Sequence, residues 1–225
     1  MTATLKAFSA LLCYPSQALR DAIGEIRAVI QREEMIAPQI QTELNAFCDT
    51  LEQSDLIDLQ EHYVALFDKT RRLSLHLFEH VHGESRDRGQ ALVDLAMMYE
   101  RSGLAIAIHE LPDYLPLFLE YLSTRPFAEA QPLLADTLPI LAALEERLKA
   151  QNTGYAAVLR AIRSVAGDRS ITAAAAVDAA GDDLSQLDTD WEEPPVLFGP
   201  ETARCGSATA TSLPIPTVPH RARRS

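Results

Sequence analysis

Apolar residues recur along this chain at helical spacing with few interruptions. Leu5, Phe8 and Leu12 fall at i, i+3, i+7, and Leu19, Ile23, Ile26 and Ile30 at i, i+4, i+7, i+11. The same spacing returns in Ile40, Leu44, Phe47 and Leu51, and a fourth stripe runs through Leu56, Leu59, Tyr63 and Leu66. Such spacing puts the side chains on one face of a helix. Punctuation agrees with it. Pro15 in CYPS disfavours helical geometry just before it, and Ser54 or Asp55 can cap the fourth helix.

Further on, Leu92, Leu95, Ala96 and Tyr99 form a stripe that Gly103 can end. Pro112, Asp113 and Pro116 are tolerated only near a helix start, and Leu115, Phe118, Leu119 and Leu122 follow them. Leu138, Leu141, Leu144 and Leu148 make the next stripe, and Tyr155, Leu159, Ile162 and Ala166 the last. Alternating β-branched runs are missing. The pattern predicts an all-α fold, because each stripe can bury only against another helix. One helical bundle domain is expected over 1–167.

Beyond Gly167 the character changes. Residues 170–203 hold no Lys or Arg but concentrate Asp178, Asp182, Asp183, Asp188, Asp190, Glu192 and Glu193. The end, SLPIPTVPHRARRS, is proline-rich and then basic. Such composition buries too little apolar area to offset chain entropy. Residues 168–225 are expected to be a mobile acidic tail.

Charge narrows the function classes. The net charge of −12 argues against nucleic acid, whose phosphates demand clustered Lys and Arg. The run MTATLKAFSALLCYP weakly mimics a signal peptide but lacks the length and a small-residue cleavage site. Membrane insertion is not expected, since no segment approaches the roughly 20 apolar residues that span a bilayer. Three separated cysteines without a CxxC favour a reducing compartment, so the expected location is the cytoplasm.

The densest chemistry is SLHLFEHVHGESRDRGQA, residues 74–91. Read literally, His76, Glu79 and His80 form H-x-x-E-H, the pattern of inverted zincins. On one helix the two histidines would ligate zinc beside a general base. Glu110 or Glu120 would be the third ligand. A pattern of this kind arises by chance in on the order of one chain in a hundred. The plainer reading is a helix–turn–helix corner. Gly83 allows the turn, Ser85 caps a helix from near Arg86, and Asp87 suits its first turn. Arg86 and Arg88 would pair with Glu79 or Glu84. No G-x-S-x-G, P-loop or G-x-G-x-x-G is present.

LFDKTRRLSLHLFEHVHGESRDRGQALVDL, followed by ELPDYLPLFLEYLS, closely resembles the respiratory nitrate reductase assembly chaperones. These are the molybdenum-cofactor assembly branch of the redox-enzyme maturation proteins. The resemblance extends to LLCYPS, PILAALEERL and the W-E-E pattern after Asp190. In the wider family a proline-aspartate-histidine motif starts a helix. Here Pro112-Asp113 matches but Tyr114 replaces the histidine, so that histidine's role does not carry over.

The resemblance implies a non-enzymatic cytoplasmic chaperone with no cofactor of its own. Its implied partner is the apo catalytic subunit of nitrate reductase, bound through that subunit's N-terminal peptide, with the cofactor-insertion machinery as a further contact. The client receives molybdopterin guanine dinucleotide and iron–sulfur clusters. A peptide helix docking in an apolar groove is the expected mode, with acids steering a basic leader. The candidate contacts are Glu79, His80, His82, Glu84, Arg86, Asp87, Arg88, Glu110, Pro112, Asp113 and Tyr114. Two rivals remain at this level: a chaperone for another molybdoenzyme, and a zinc hydrolase built on His76, Glu79 and His80.

Overall fold

The computed structural model describes residues 2–69, 71–81, 86–106 and 110–171. Among these the fold is all-α. In chain order come α1 (Ala3–Leu11), α2 (Gln17–Glu33), α3 (Pro38–Gln53), α4 (Leu56–Phe67) and a short 3-10 turn, Arg71–Leu73. There follow α5 (Leu77–Val81), α6 (Arg86–Arg101), α7 (Leu115–Ser123), α8 (Phe127–Ala135), α9 (Leu138–Ala150) and α10 (Tyr155–Ala166).

The local chemistry accounts for most boundaries. Ser16 caps α2 by accepting the Leu19 N–H, and Asp55 caps α4 by accepting the Ile57 N–H. Gly103 and Gly167 take the left-handed conformation just past α6 and at the end of α10. α8 has no stripe that the periodicity reading detects. It buries only Ala130 and Leu134, follows Pro126 and carries Pro132 inside it. In α7 the helix begins at Leu115, so Pro112 and Asp113 lie ahead of it rather than in its first turn.

α10 is the central element. Nine of its residues are buried, including Tyr155, Val158, Leu159 and Ile162, which fits a helix apolar on most of its circumference. It packs mainly on α9 and α3, and also on α8 and α1. α1 packs on α7 and α2. At the start of α10, a Cβ on Gly154 would lie 2.4 Å from the Phe47 ring, so only glycine allows this approach of α10 to α3. α6 is covered least. Of its described side chains only Tyr99 is buried, while Val93 and Met97 stand exposed.

The start of α1 is capped from a distance. The Glu33 carboxylate, at the end of α2, accepts the Ala3 N–H at 3.0 Å and the Thr4 N–H at 2.8 Å. Burial pushes this carboxyl up, but hydrogen bonds from Thr4 and Ala3 outweigh it and hold it below its usual range. A carboxyl depressed in the folded state stabilises the fold above its unfolded pKa. That contribution is lost as pH falls from there through the folded value. Stability to urea is therefore expected to drop below about pH 4.5, the ordinary glutamate value. Glu33→Gln should flatten that part of the profile. An unchanged profile in this variant would show that Glu33 does not set the acid limb.

The described chain ends in a polar lock. Arg163 on α10 binds Glu145 of α9 and donates to Asp168 at 2.7 and 3.0 Å. Ile171 beyond it is buried. Residues 168–171, just past Gly167, thus carry an ion pair back to α10 and a buried apolar side chain. Residues 172–225, including the acidic run and WEEPPVLF, lie outside the described residues.

Candidate peptide-binding site

Two segments far apart in sequence meet backbone to backbone. The Leu77 N–H donates to the Asp113 carbonyl at 3.0 Å, and the Leu115 N–H to the Leu75 carbonyl at 2.8 Å. They form an isolated antiparallel bridge between His76 and Tyr114. These are the two segments that carry the strongest resemblance.

Asp113 is the hub of the junction, with 0% of its surface exposed. One carboxylate oxygen lies 3.2 Å from His76 Nδ1. The other accepts the Phe78 N–H at 3.1 Å and sits 3.9 Å from the Arg88 guanidinium. Asp113 therefore caps α5, across the junction, rather than α7 next to it. A buried carboxylate persists only when its lone pairs are met by donors. Arg88 is drawn to the hub more by charge than by ideal geometry. It donates to Glu79 at 3.3 Å, and its Nε is buried with no hydrogen-bond partner among the described residues.

The other candidate contacts divide around this hub. His80 Nε2 bonds the Ser74 carbonyl at 2.8 Å, closing α5 back on its own entry. Pro112 is buried and its carbonyl accepts the Tyr99 hydroxyl at 2.8 Å, which ties α6 to the junction. Asp87 and Glu110 are exposed. Tyr114 is half-buried and packs its ring on His76, with centroids 5.4 Å apart. His82 and Glu84 lie outside the described residues, as does the side chain of Arg86. Asp113, with no exposed surface, acts on a partner only through the groups it positions.

An aromatic ladder backs the site. The Tyr63 hydroxyl donates to the Leu12 carbonyl at 2.9 Å and lies 3.1 Å from the Tyr114 hydroxyl. Burial pushes the Tyr114 hydroxyl up to about 12, against a lowering effect of its hydrogen bond with Tyr63, and the charges of Glu110 and Asp68 add to the rise. Burial drives Tyr63 higher still. Both hydroxyls thus stay neutral. Cys13 is raised to about 11 by burial and by Glu120 and Glu110. A thiol so raised is a poor nucleophile at neutral pH.

On the surface the junction opens into a recess of about 280 Å³ lined by His76, Glu110, Leu111 and Tyr114. Leu111 is 43% exposed at its edge. An aromatic floor, an apolar edge and an exposed acid suit an apolar side chain next to a basic one.

The zinc geometry is not present. α5 begins at Leu77, so His76 stands outside the helix that H-x-x-E-H requires. Its ring turns to Asp113 and Tyr114, while His80 turns to Ser74. Glu79 pairs with Arg88. Among the described residues no three His, Cys, Asp or Glu side chains are grouped to hold a metal. No described helix is long and apolar enough to cross a membrane.

Residues 33–161 match the nitrate reductase delta subunit family. The chain belongs to that family. Over 208 residues it is 42% identical to the nitrate reductase molybdenum cofactor assembly chaperone NarJ of Escherichia coli (strain K12), covering 91% of this chain and 88% of that protein. Its fold is similar to a crystal structure from Archaeoglobus fulgidus described as a "putative redox enzyme maturation protein". The TM-score is 0.53 at 25% identity, over 72% of this chain and 91% of the other.

In this member of the delta subunit family, several residues of the junction escape a reading by residue type. Ser74 contributes through its carbonyl, and Tyr63 and Tyr99 through hydroxyls that reach other elements. Tyr63 and Tyr99 read only as apolar stripe positions. Leu111 carries one usable signal, an apolar residue between Glu110 and Pro112 in the block of strongest resemblance.

Proposed function

We propose that this chain is a dedicated chaperone for the apo catalytic subunit of respiratory nitrate reductase. It binds that subunit's N-terminal peptide, keeps the subunit open while the molybdenum cofactor is inserted, and leaves before the complex is complete. It performs no catalysis and carries no cofactor. Molybdopterin guanine dinucleotide and the iron–sulfur clusters go to the client. The work takes place in the cytoplasm, where the client is made, with the insertion machinery as a further contact.

The observation that carries this reading is the recess over the Asp113 hub, in a chain 42% identical to a NarJ chaperone. The recess offers Leu111 and Tyr114 to an apolar anchor and Glu110 to a basic neighbour. The hub beneath holds their backbone in place, so little ordering entropy is spent on binding. Exposed acid contributes mainly to steering and rate. A small contact area keeps affinity moderate, as release requires.

Leu111→Glu tests it. Leu111 is exposed, so stability should stay within about 0.5 kcal/mol of the parent. Calorimetric titration with a synthetic peptide of the client subunit's N-terminus should show binding weakened about tenfold or more, as for an interface anchor. Parent-like affinity would place the peptide elsewhere on the bundle.

A further inference from the structure

Three consecutive carbonyls run beneath the recess, and each is held by a different part of the fold. The Leu111 carbonyl accepts the Tyr114 N–H at 3.1 Å, within the turn that enters α7. The Asp113 carbonyl accepts the Leu77 N–H at 3.0 Å, from the start of α5. Between them the Pro112 carbonyl accepts the Tyr99 hydroxyl at 2.8 Å, from α6. A proline has no N–H, so its carbonyl is the one polar group by which its backbone can be held.

Tyr99 is placed to make that tie. It is 1% exposed, and its ring lies against Tyr121 of α7 with centroids 4.7 Å apart. Burial first, and then the charges of Tyr121 and Asp113, push its hydroxyl up, so it stays protonated and able to donate. The rest of the inner face of α6 is covered less, with Leu92, Leu95 and Ala96 only half-buried. The buried tyrosine of this lightly packed helix therefore gives its single donor to the backbone next to Leu111. Arg88, on the same helix, faces the neighbouring Asp113 carboxylate. α6 thus grips Pro112 and Asp113 together, just behind the edge formed by Glu110 and Leu111.

We infer that Tyr99 is a positioning residue for client-peptide binding. Its hydroxyl fixes the Pro112 peptide group and so sets where Leu111 and Glu110 stand relative to Tyr114 across the recess. Without it a buried carbonyl lacks its donor, the edge relaxes, and the peptide has to order that edge as it binds. The inference rests on the peptide-chaperone reading and adds a residue that lies behind the surface and acts through Leu111.

The test uses the full chain and a synthetic peptide of the N-terminus of the host's nitrate reductase catalytic subunit. Tyr99→Phe keeps the ring against Tyr121 and removes only the hydroxyl. Calorimetry, at a temperature where every variant is folded, should show affinity lowered about fivefold, the equivalent of one hydrogen bond. Glu33→Gln, which weakens the cap of α1 instead, is the control for lost stability and should bind like the parent. A double-mutant cycle separates positioning from simple support. In a Leu111→Glu background, Tyr99→Phe should cost little further affinity, because the edge it places has lost its anchor. A full fivefold loss in that background would mean that Tyr99 does not act through Leu111, and the inference would fall. It would fall equally if Glu33→Gln lowered affinity as much as Tyr99→Phe. Parent-like affinity in Tyr99→Phe, with Leu111→Glu still weakened, would make Tyr99 a core residue only and leave the chaperone reading standing. No binding by the parent would sink both readings together.

Discussion

Asp113→Ala is expected to destabilise the protein by about 3 kcal/mol, the scale for breaking a buried, paired charge. The substitution strips three groups at once. His76 loses its partner at 3.2 Å, the Phe78 N–H loses its cap, and Arg88 loses the charge beneath it. For a domain of this size the melting temperature should fall by about 6–12 °C, at roughly 2–4 °C per kcal/mol. Asp113→Asn keeps an acceptor for Phe78 and should cost less, about 1–2 kcal/mol. Peptide affinity should fall in Asp113→Ala even below its melting range, because the floor of the recess is set by the His76–Tyr114 bridge. Circular-dichroism melts beside calorimetry measure both effects. A variant that melts with the parent would show that the junction holds without its hub.

The other large effect lies at the far end of α10. Arg163→Met leaves Glu145, 1% exposed, with Lys149 as its remaining ion-pair partner among the described residues. Stability should drop by about 3 kcal/mol. A double variant, Arg163→Met with Glu145→Leu, should recover most of it, since an apolar pair of similar volume often replaces a buried ion pair without loss. The same lock separates two truncations. A chain ending at 171 should melt near the full-length protein. One ending at 167 lacks Asp168 and Ile171 and should melt lower. Equal melting of the two would mean that the lock contributes nothing to the fold.

The helices were legible because their signal is local. Ile23, Ile26 and Ile30 repeat at helical spacing and are buried together in α2. Asp55 and Gly103 announce boundaries through their own chemistry. α8 was not legible, since two buried residues make no stripe and Pro132 breaks the pattern. The site was legible in part. Residue types drew attention to 74–91 and to Pro112–Asp113. They did not reveal that Asp113 reaches across to cap α5, because a cap supplied by a distant segment leaves no trace in local order. His76 misled for the same reason. Spacing suggested a ligand on a helix, while tertiary pairing with Tyr114 pulls it off the helix. The Tyr63–Tyr114 contact joins positions 51 apart and has no sequence signature.

As a chaperone of this kind, the chain is expected to be needed for the client to receive its cofactor. The direct measurement is the molybdenum content of the nitrate reductase catalytic subunit, purified from a host lacking this chain and its paralogues. The subunit should be present but largely without molybdenum, restored by the parent and poorly by Leu111→Glu. A fully loaded subunit in the absence of the chain would contradict it.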